Sequence, residues 1–176
     1  ILGWSKLLRS RKLDEEATDR ALEIIERNAK LQTQLIEDLL DVSRILRGKL
    51  SLQVTPVDLQ GIIEAAIETV RLAAEAKSIQ IRTRFDLPLT VMGDPNRLQQ
   101  IVWNLLSNAV KFTDVNGQIE VKLECVNHQA QIRVTDNGKG IEPDFLPYIF
   151  DYFRQEDSAT TRKFGGLGLG LAIVRH

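Results

Sequence analysis

Residues 14–47 contain neither glycine nor proline. Apolar residues at Ile24, Ile25, Leu31, Leu35, Ile36, Leu39, Leu40, Val42, Ile45 and Leu46 recur at three-to-four spacing, which predicts a helix and not a strand. Asp14, Glu15 and Glu16 put acid where the helix dipole favours it, and Gly48 stands where a C-terminal cap belongs. About 34 residues rising 1.5 Å each make a rod of roughly 50 Å. That is too long for the core of a compact domain in a chain of 176 residues. Its apolar stripe needs a partner, and "ILGWSKLLRSR" at residues 1–11 offers the tail of a second helix. Two arrangements satisfy the stripe: an antiparallel hairpin completed to four helices by a second chain, or a helical linker packed on its own domain.

After Gly48 the texture changes, so residues 1–48 are expected to form one unit and residues 49–176 another. "SLQVTP" reads as a short strand. "VDLQGIIEAAIETVRLAAEAK" is a second periodic helix with Asp58 as its cap. "IQIRTRF" alternates strictly, and "DPNRLQQIVWNLLSNAVKFT" is a helix with Pro95 in its first turn, where proline is tolerated. "QIEVKLECV" and "AQIRVTD" are two strands joined by a hairpin at "NHQ". In the first, Ile119, Val121, Leu123 and Cys125 share a face; in the second, Ala130, Ile132 and Val134 do. One wet sheet face and helices on the other predict an α+β, two-layer sandwich.

Composition narrows the function classes. The net charge is −1, so no overall field favours nucleic acid or an anionic membrane. The single cysteine excludes an internal disulfide framework and a cysteine-based zinc cluster, and fits a cytoplasmic setting. No apolar run approaches the ~20 residues of a membrane span, and no signal-peptide pattern opens the chain. The chain begins without Met and stops inside "LAIVRH", which reads as a piece of a longer protein.

Three motifs carry chemistry. The parity of the last strand places Asp136 next in phase after Val134, at the mouth of the apolar face, followed by "NGKGI". A carboxylate there needs donors, either amides of the Gly138–Gly140 turn or a ligand N–H such as the exocyclic amine of adenine. On the helix from Asp94 to Phe112, Leu98, Ile101, Leu105 and Ala109, with Val102 and Leu106, form the core stripe. Arg97, Asn104, Asn108 and Lys111 form a polar stripe beside it. The two asparagines either tie down a neighbouring loop or offer an amide oxygen to a hard cation such as Mg²⁺, with Lys111 facing phosphates as a point charge. Finally, Gly166, Gly168 and Gly170 alternate with leucines just before a helix, where bare backbone lets amide N–H groups approach an anion. The spacing matches neither the Walker A loop nor the dinucleotide fingerprint. Between the glycine motifs, Tyr148, Phe150 and Phe153 read as a lid anchor or as core, and Arg154–Lys163 as a mobile lid or a solvated loop. In the lid reading Arg162 or Lys163 reaches a phosphate.

These residues resemble the catalytic and ATP-binding domain of bacterial sensor histidine kinases, which share a fold with Hsp90, gyrase B and MutL. "DPNRLQQIVWNLLSNAVKFT" resembles the N box, "DNGKGI" the G1 box, "FDYF" the F box and "GGLGLGLAIV" the G2 box, in family order. Residues 1–47 resemble the end of the first helix and the whole second helix of the dimerisation and histidine-phosphotransfer domain. The resemblance implies ATP and Mg²⁺ as ligands, a response-regulator receiver domain as partner and a homodimer through the hairpin. It implies that Asp136 binds the adenine amine and Asn108 ligates Mg²⁺, with Asn104 and Lys111 at the phosphates as the catalytic groups. Gly138, Gly140, Gly166, Gly168 and Gly170 would shape the pocket, with Ile141, Leu167 and Leu169 beside them. Phe150 and Phe153 would anchor the lid, and Arg162 would reach the nucleotide. The family's phosphoacceptor histidine precedes a sequence like "ILGW", so it is expected upstream of residue 1, and neither His128 nor His176 stands in for it. Two competing expectations are a nucleotide-binding module that transfers nothing and a dimerisation scaffold with a vestigial pocket.

Overall fold

The computed structural model describes residues 1–9, 13–156 and 167–175, in two compact units, Ile1–Gly48 and Lys49–His176. In the first unit α1 (Leu2–Arg9) packs against α2 (Glu15–Leu46). Asp14 caps α2 by accepting the Ala17 N–H at 2.7 Å, and Gly48 takes φ +61° just past its end. The helix therefore starts and stops where its cap residues say. Leu22, Leu31, Ile36, Leu39, Leu40 and Leu46 are exposed along it. Ala21, Asp38, Asp41 and Val42 are buried. No described helix is long and apolar enough to cross a membrane.

The second unit is the α+β sandwich. β1 (Thr55–Asp58) pairs antiparallel with β3 (Thr90–Gly93) in a two-stranded sheet. β2 (Gln80–Phe85), β4 (Gln118–Val126) and β5 (Gln129–Asp136) form a second sheet in the order β2-β4-β5, parallel then antiparallel. The strand expected over "SLQVTP" lies further on. Val57, buried opposite Val91, anchors it, whereas Leu52 and Val54 stay exposed. Pro56 is accommodated because a two-stranded sheet leaves an unpaired edge for a residue without an N–H.

α3 (Leu59–Glu75) starts where Asp58 accepts the Gln60 and Gly61 N–H groups, each at 3.2 Å. It buries Leu59, Ile63, Ala66, Val70 and Ala74, a helical stripe. These residues meet Val102, Leu106, Ala109 and Val110 of α4 (Pro95–Phe112) and Ile119, Val121 and Leu123 of β4 to form the core. The predicted α4 stripe needs a shift: Leu98 packs on this core with Trp103, but Ile101 and Leu105 are only half-buried, on the side of the two asparagines. The outer sheet face is charged, with Arg133 pairing Glu124 across the strands at 3.2 Å. β4 and β5 turn on Asn127 and His128, both at positive φ, the geometry of a two-residue I′ hairpin. Cys125 and Ala130, predicted to share the inner faces, are exposed because they sit at the hairpin end, beyond the helices. α5 (Gly170–Arg175) closes the described chain, burying Ala172 and Ile173.

Candidate functional site

The site is arranged along α4. Asp94 sets the start of that helix: Oδ1 accepts the N–H groups of Asn96 (3.0 Å) and Arg97 (3.3 Å), and Oδ2 accepts that of Gln53 (2.9 Å). The Gln53 amide, with the two helix amides behind it, holds the Asp94 carboxyl below its ordinary range. Arg97 turns along the helix and donates to Gln100 Oε1 at 2.8 Å.

Asn104 is 5% exposed although its helical phase points away from the core. α5 covers it: a Cβ built on Gly170 would lie 3.0 Å from Asn104 Oδ1. Its Nδ2 is buried without a hydrogen-bond partner among the described residues, which costs about 1–3 kcal/mol while it lasts. Asn108, a turn further on, is half-buried. Lys111 is half-buried as well, and its ammonium pKa is pushed down, first by burial and then by the charge of Lys139. The two ammonium groups stand 4.9 Å (Lys111) and 5.3 Å (Lys139) from the centre of the Phe112 ring.

The turn after β5 clasps the end of α4. Lys139 N donates to Phe112 O at 3.4 Å, and a Cβ at Gly138 would fall nearer than 3.0 Å to that same oxygen, so only glycine fits. Asn137 ties the turn to β4 through its Oδ1, which accepts the Gln118 N–H at 2.8 Å. Gly140 takes φ +71°, and Ile141 is exposed. Asp136 lies opposite Ile119 in the ladder, on the core side as its parity requires. It is exposed, however, although its ladder partner Ile119 is buried. Gly138 N donates to Asp136 Oδ1 at 2.9 Å, so one turn amide supplies a donor to the carboxylate.

The second glycine motif differs from expectation in its physical basis. Gly168 has φ +70°, and a Cβ there would fall nearer than 3.0 Å to the Arg154 carbonyl. Gly168 O accepts the Phe153 N–H at 3.2 Å. Crowding by neighbouring chain thus demands Gly168, and Gly170 lies in tight contact with the Asn104 side chain, before any anion is considered. Leu167 is exposed, but Leu169 is 1% exposed and belongs to the packing, not to a ligand wall. Phe150 and Phe153 are exposed, so the contact between this segment and Gly168 runs through backbone and not through an aromatic anchor. Arg162, Lys163, Gly165 and Gly166 lie outside the described residues.

α4 therefore joins both glycine motifs, the first at Phe112 and the second at Asn104, on the order of 12 Å apart along the helix. Among the described residues, no group of three or more His, Cys, Asp or Glu side chains is placed to hold a metal ion. Sequence reasoning missed Lys77, Asn137 and the ion pair between Lys139 and Glu156, whose other oxygen accepts the Glu142 N–H at 3.4 Å. Lys139 stood inside a quoted motif. Asn137 stood there too, but it, Lys77 and Glu156 act on backbone groups distant in sequence and carry no periodic signal.

Residues 93–176 match the family described as histidine kinase-, DNA gyrase B-, and HSP90-like ATPase. Hybrid signal transduction histidine kinase D of Dictyostelium discoideum is 36% identical over all of this chain and 14% of its own length. The solved structure titled full-length ShkA in complex with AMPPNP is 33% identical, with a TM-score of 0.76 over 99% of this chain and 36% of that one. The mycobacterial sensor histidine kinase MprB is 31% identical, with a TM-score of 0.59 over 69% of this chain and 76% of that one. The chain belongs to the sensor histidine kinases. A relative from an amoeba shows that the likeness extends beyond the bacterial members. This sensor histidine kinase chain spans about a fifth or less of the curated relatives it matches. Its α4 carries Asn104 and Asn108, and its two described glycine turns meet that helix.

Proposed function

We propose that this chain is the ATP-binding core of a protein histidine kinase, transferring the γ-phosphoryl of ATP to a histidine outside these 176 residues. The observation that carries the reading is the α4 edge: a buried, unpartnered Asn104 amide, Asn108 a turn away, and Lys111 held beside Lys139. Lys111, partly desolvated and near Lys139, which itself pairs with Glu156, is favoured in its charged form by a polyanion. ShkA, whose structure was solved in complex with AMPPNP, supports a nucleotide as the ligand.

Asp136, exposed at the strand end, accepts the adenine amine while Gly138 N orients its other lone pairs. Asn104 and Lys111 act on the phosphates, Asn104 by donating from Nδ2 and Lys111 by charge. Asn108 would offer an amide oxygen to Mg²⁺, a hard cation that favours oxygen ligands and needs no protein carboxylate cluster. When bound, Mg²⁺ neutralises phosphate charge. Phosphoryl transfer depends mainly on such positioning and neutralisation. The bond from the γ-phosphorus to the bridging oxygen breaks as a bond to the imidazole nitrogen forms, and ADP leaves. His128 is not the acceptor, because it is fixed in the β4–β5 hairpin turn.

Through the relatives' two-component chemistry, the phosphoryl then passes to an aspartate of a response-regulator receiver domain. The exposed leucines of α2 meet a second copy, giving a homodimer, and the setting is cytoplasmic. Calorimetric titration with ATP and Mg²⁺ tests the nucleotide assignment. Asp136→Asn, which retains an acceptor for Gly138 N, is expected to weaken binding ten- to a hundredfold, the scale of a charged hydrogen bond. Equal affinity in the two proteins removes the adenine role of Asp136.

A further inference from the structure

An α-helix leaves its last four carbonyls without intrahelical donors, and at the end of α4 each of them is accounted for. Ala109 O accepts the Thr113 N–H at 2.9 Å. Phe112 O accepts the Lys139 N–H of the first glycine turn. The other two, Val110 O and Lys111 O, go to one side chain: Lys77 Nζ donates to them at 2.8 and 2.9 Å and to Thr113 O at 2.9 Å. An ammonium group has three protons, and three carbonyls at this helix end converge on it. Its charge also sits at the negative pole of the helix dipole.

Lys77 is itself fixed from both sides. It lies between α3 and β2, where its N–H reaches Ala74 O at 3.1 Å, and its carbonyl accepts the Asn116 N–H at 2.9 Å from the loop between α4 and β4. Gln80 N bonds Gly117 O at 3.0 Å, locking the two loops together. The turn that Lys77 grips bears Lys111, and its Phe112 carbonyl seats the Gly138–Lys139 turn. A small shift of this helix end displaces both.

We infer that Lys77 is a positioning residue of the nucleotide site, setting Lys111 and the Asp136–Gly140 turn through the carbonyls of α4 without touching the ligand. The inference rests on the reading that Lys111 and Asp136 bind ATP. Lys77→Met keeps the aliphatic stem and deletes the three bonds; Lys77→Arg restores donors.

The test has two readouts on wild type, Lys77→Met and Lys77→Arg, both taken well below each protein's melting temperature. Calorimetry with ATP and Mg²⁺ is expected to show about tenfold weaker binding for Lys77→Met and a return to within about threefold for Lys77→Arg. Amide hydrogen exchange without ligand is expected to quicken at least tenfold at Thr113 and Lys139 in Lys77→Met, and to leave the core amides of Val121 and Leu123 unchanged. Affinity of Lys77→Met within twofold of wild type overturns the inference, as does exchange that quickens everywhere or nowhere. If Lys77→Met does not fold, Lys77→Gln, which retains two donors, takes its place under the same criteria. Failure of the wild-type chain to bind ATP would instead remove the reading of the site, while the exchange readout still decides whether Lys77 sets the helix end and the turn.

Discussion

Gly168 accepts the Phe153 N–H on its carbonyl at 3.2 Å while its α-carbon faces the Arg154 carbonyl so closely that a Cβ would fall nearer than 3.0 Å to that oxygen. Two adjacent backbone stretches are thus locked together at the entrance to α5, and the lock exists only because one of them lacks a side chain.

Gly168→Ala is therefore expected to be severe. It adds a left-handed conformation, costing roughly 1–3 kcal/mol for a residue with a Cβ, to a steric clash of about 1–3 kcal/mol. Since α5 covers Asn104, the substitution is expected to lower the melting temperature and weaken ATP binding together. Leu169→Ala, which opens a cavity in the packing, is expected to cost about 2–5 kcal/mol of stability and leave ATP affinity at low temperature unchanged. A Leu169→Ala protein that melts normally but binds poorly would return Leu169 to the ligand wall.

Nucleotide affinity is expected to depend on pH through Lys111. Burial and Lys139 place its folded pKa below 10.5, so without ligand it loses its proton at a lower pH than a free lysine. A bound triphosphate favours the charged form. Affinity should hold at neutral pH, fall as pH rises through the depressed pKa, and be accompanied by proton uptake in that range. Lys139→Met removes the neighbouring charge, so the fall should move to higher pH. A profile that does not move shows that Lys139 leaves Lys111 untouched.

Asp38 on α2 makes a separate stability prediction. Burial raises its pKa above the ordinary 3.8, with Asp41 and Glu37 adding to the rise and the Gln34 hydrogen bond opposing it. The folded state therefore holds the proton more tightly, and stability falls as pH rises from the ordinary value through the raised one. Asp38→Asn, which still accepts the Gln34 Nε2–H, should raise the melting temperature at pH 7 and lose that advantage below about pH 4. No difference at pH 7 would show that the buried carboxylate carries no penalty.

The exposed leucines of α2 predict the assembly. Leu40→Glu, placing a charge on an apolar face, is expected to convert a dimer to a monomer in sedimentation equilibrium at micromolar concentration, with the second unit still folded. A wild-type chain that sediments as a monomer removes the homodimer.

The long helix with acid at its start, the Asp58 cap, the alternation of β4 and the polar edge of α4 were all legible from residues alone, because each depends on neighbours one to four positions away. Periodicity also gave the parity of Asp136. Its exposure was not legible, since that depends on what the tertiary fold packs around it. The same limit moved the first strand from Val54 to Val57, sent Leu169 inward and left Phe153 outside.

What the sequence determined by itself is local: which segments are helical or extended, where caps begin them, and which residue types stand ready for a phosphate. What only the tertiary structure decided is which backbone atoms meet. Lys77 lies 33 to 36 residues from the carbonyls it binds, Gly168 is required by the Arg154 carbonyl, and Gly170 packs tightly on Asn104. A carbonyl has the same chemistry in every residue, so nothing in the order of side chains marks which ones a distant ammonium or an absent Cβ will approach.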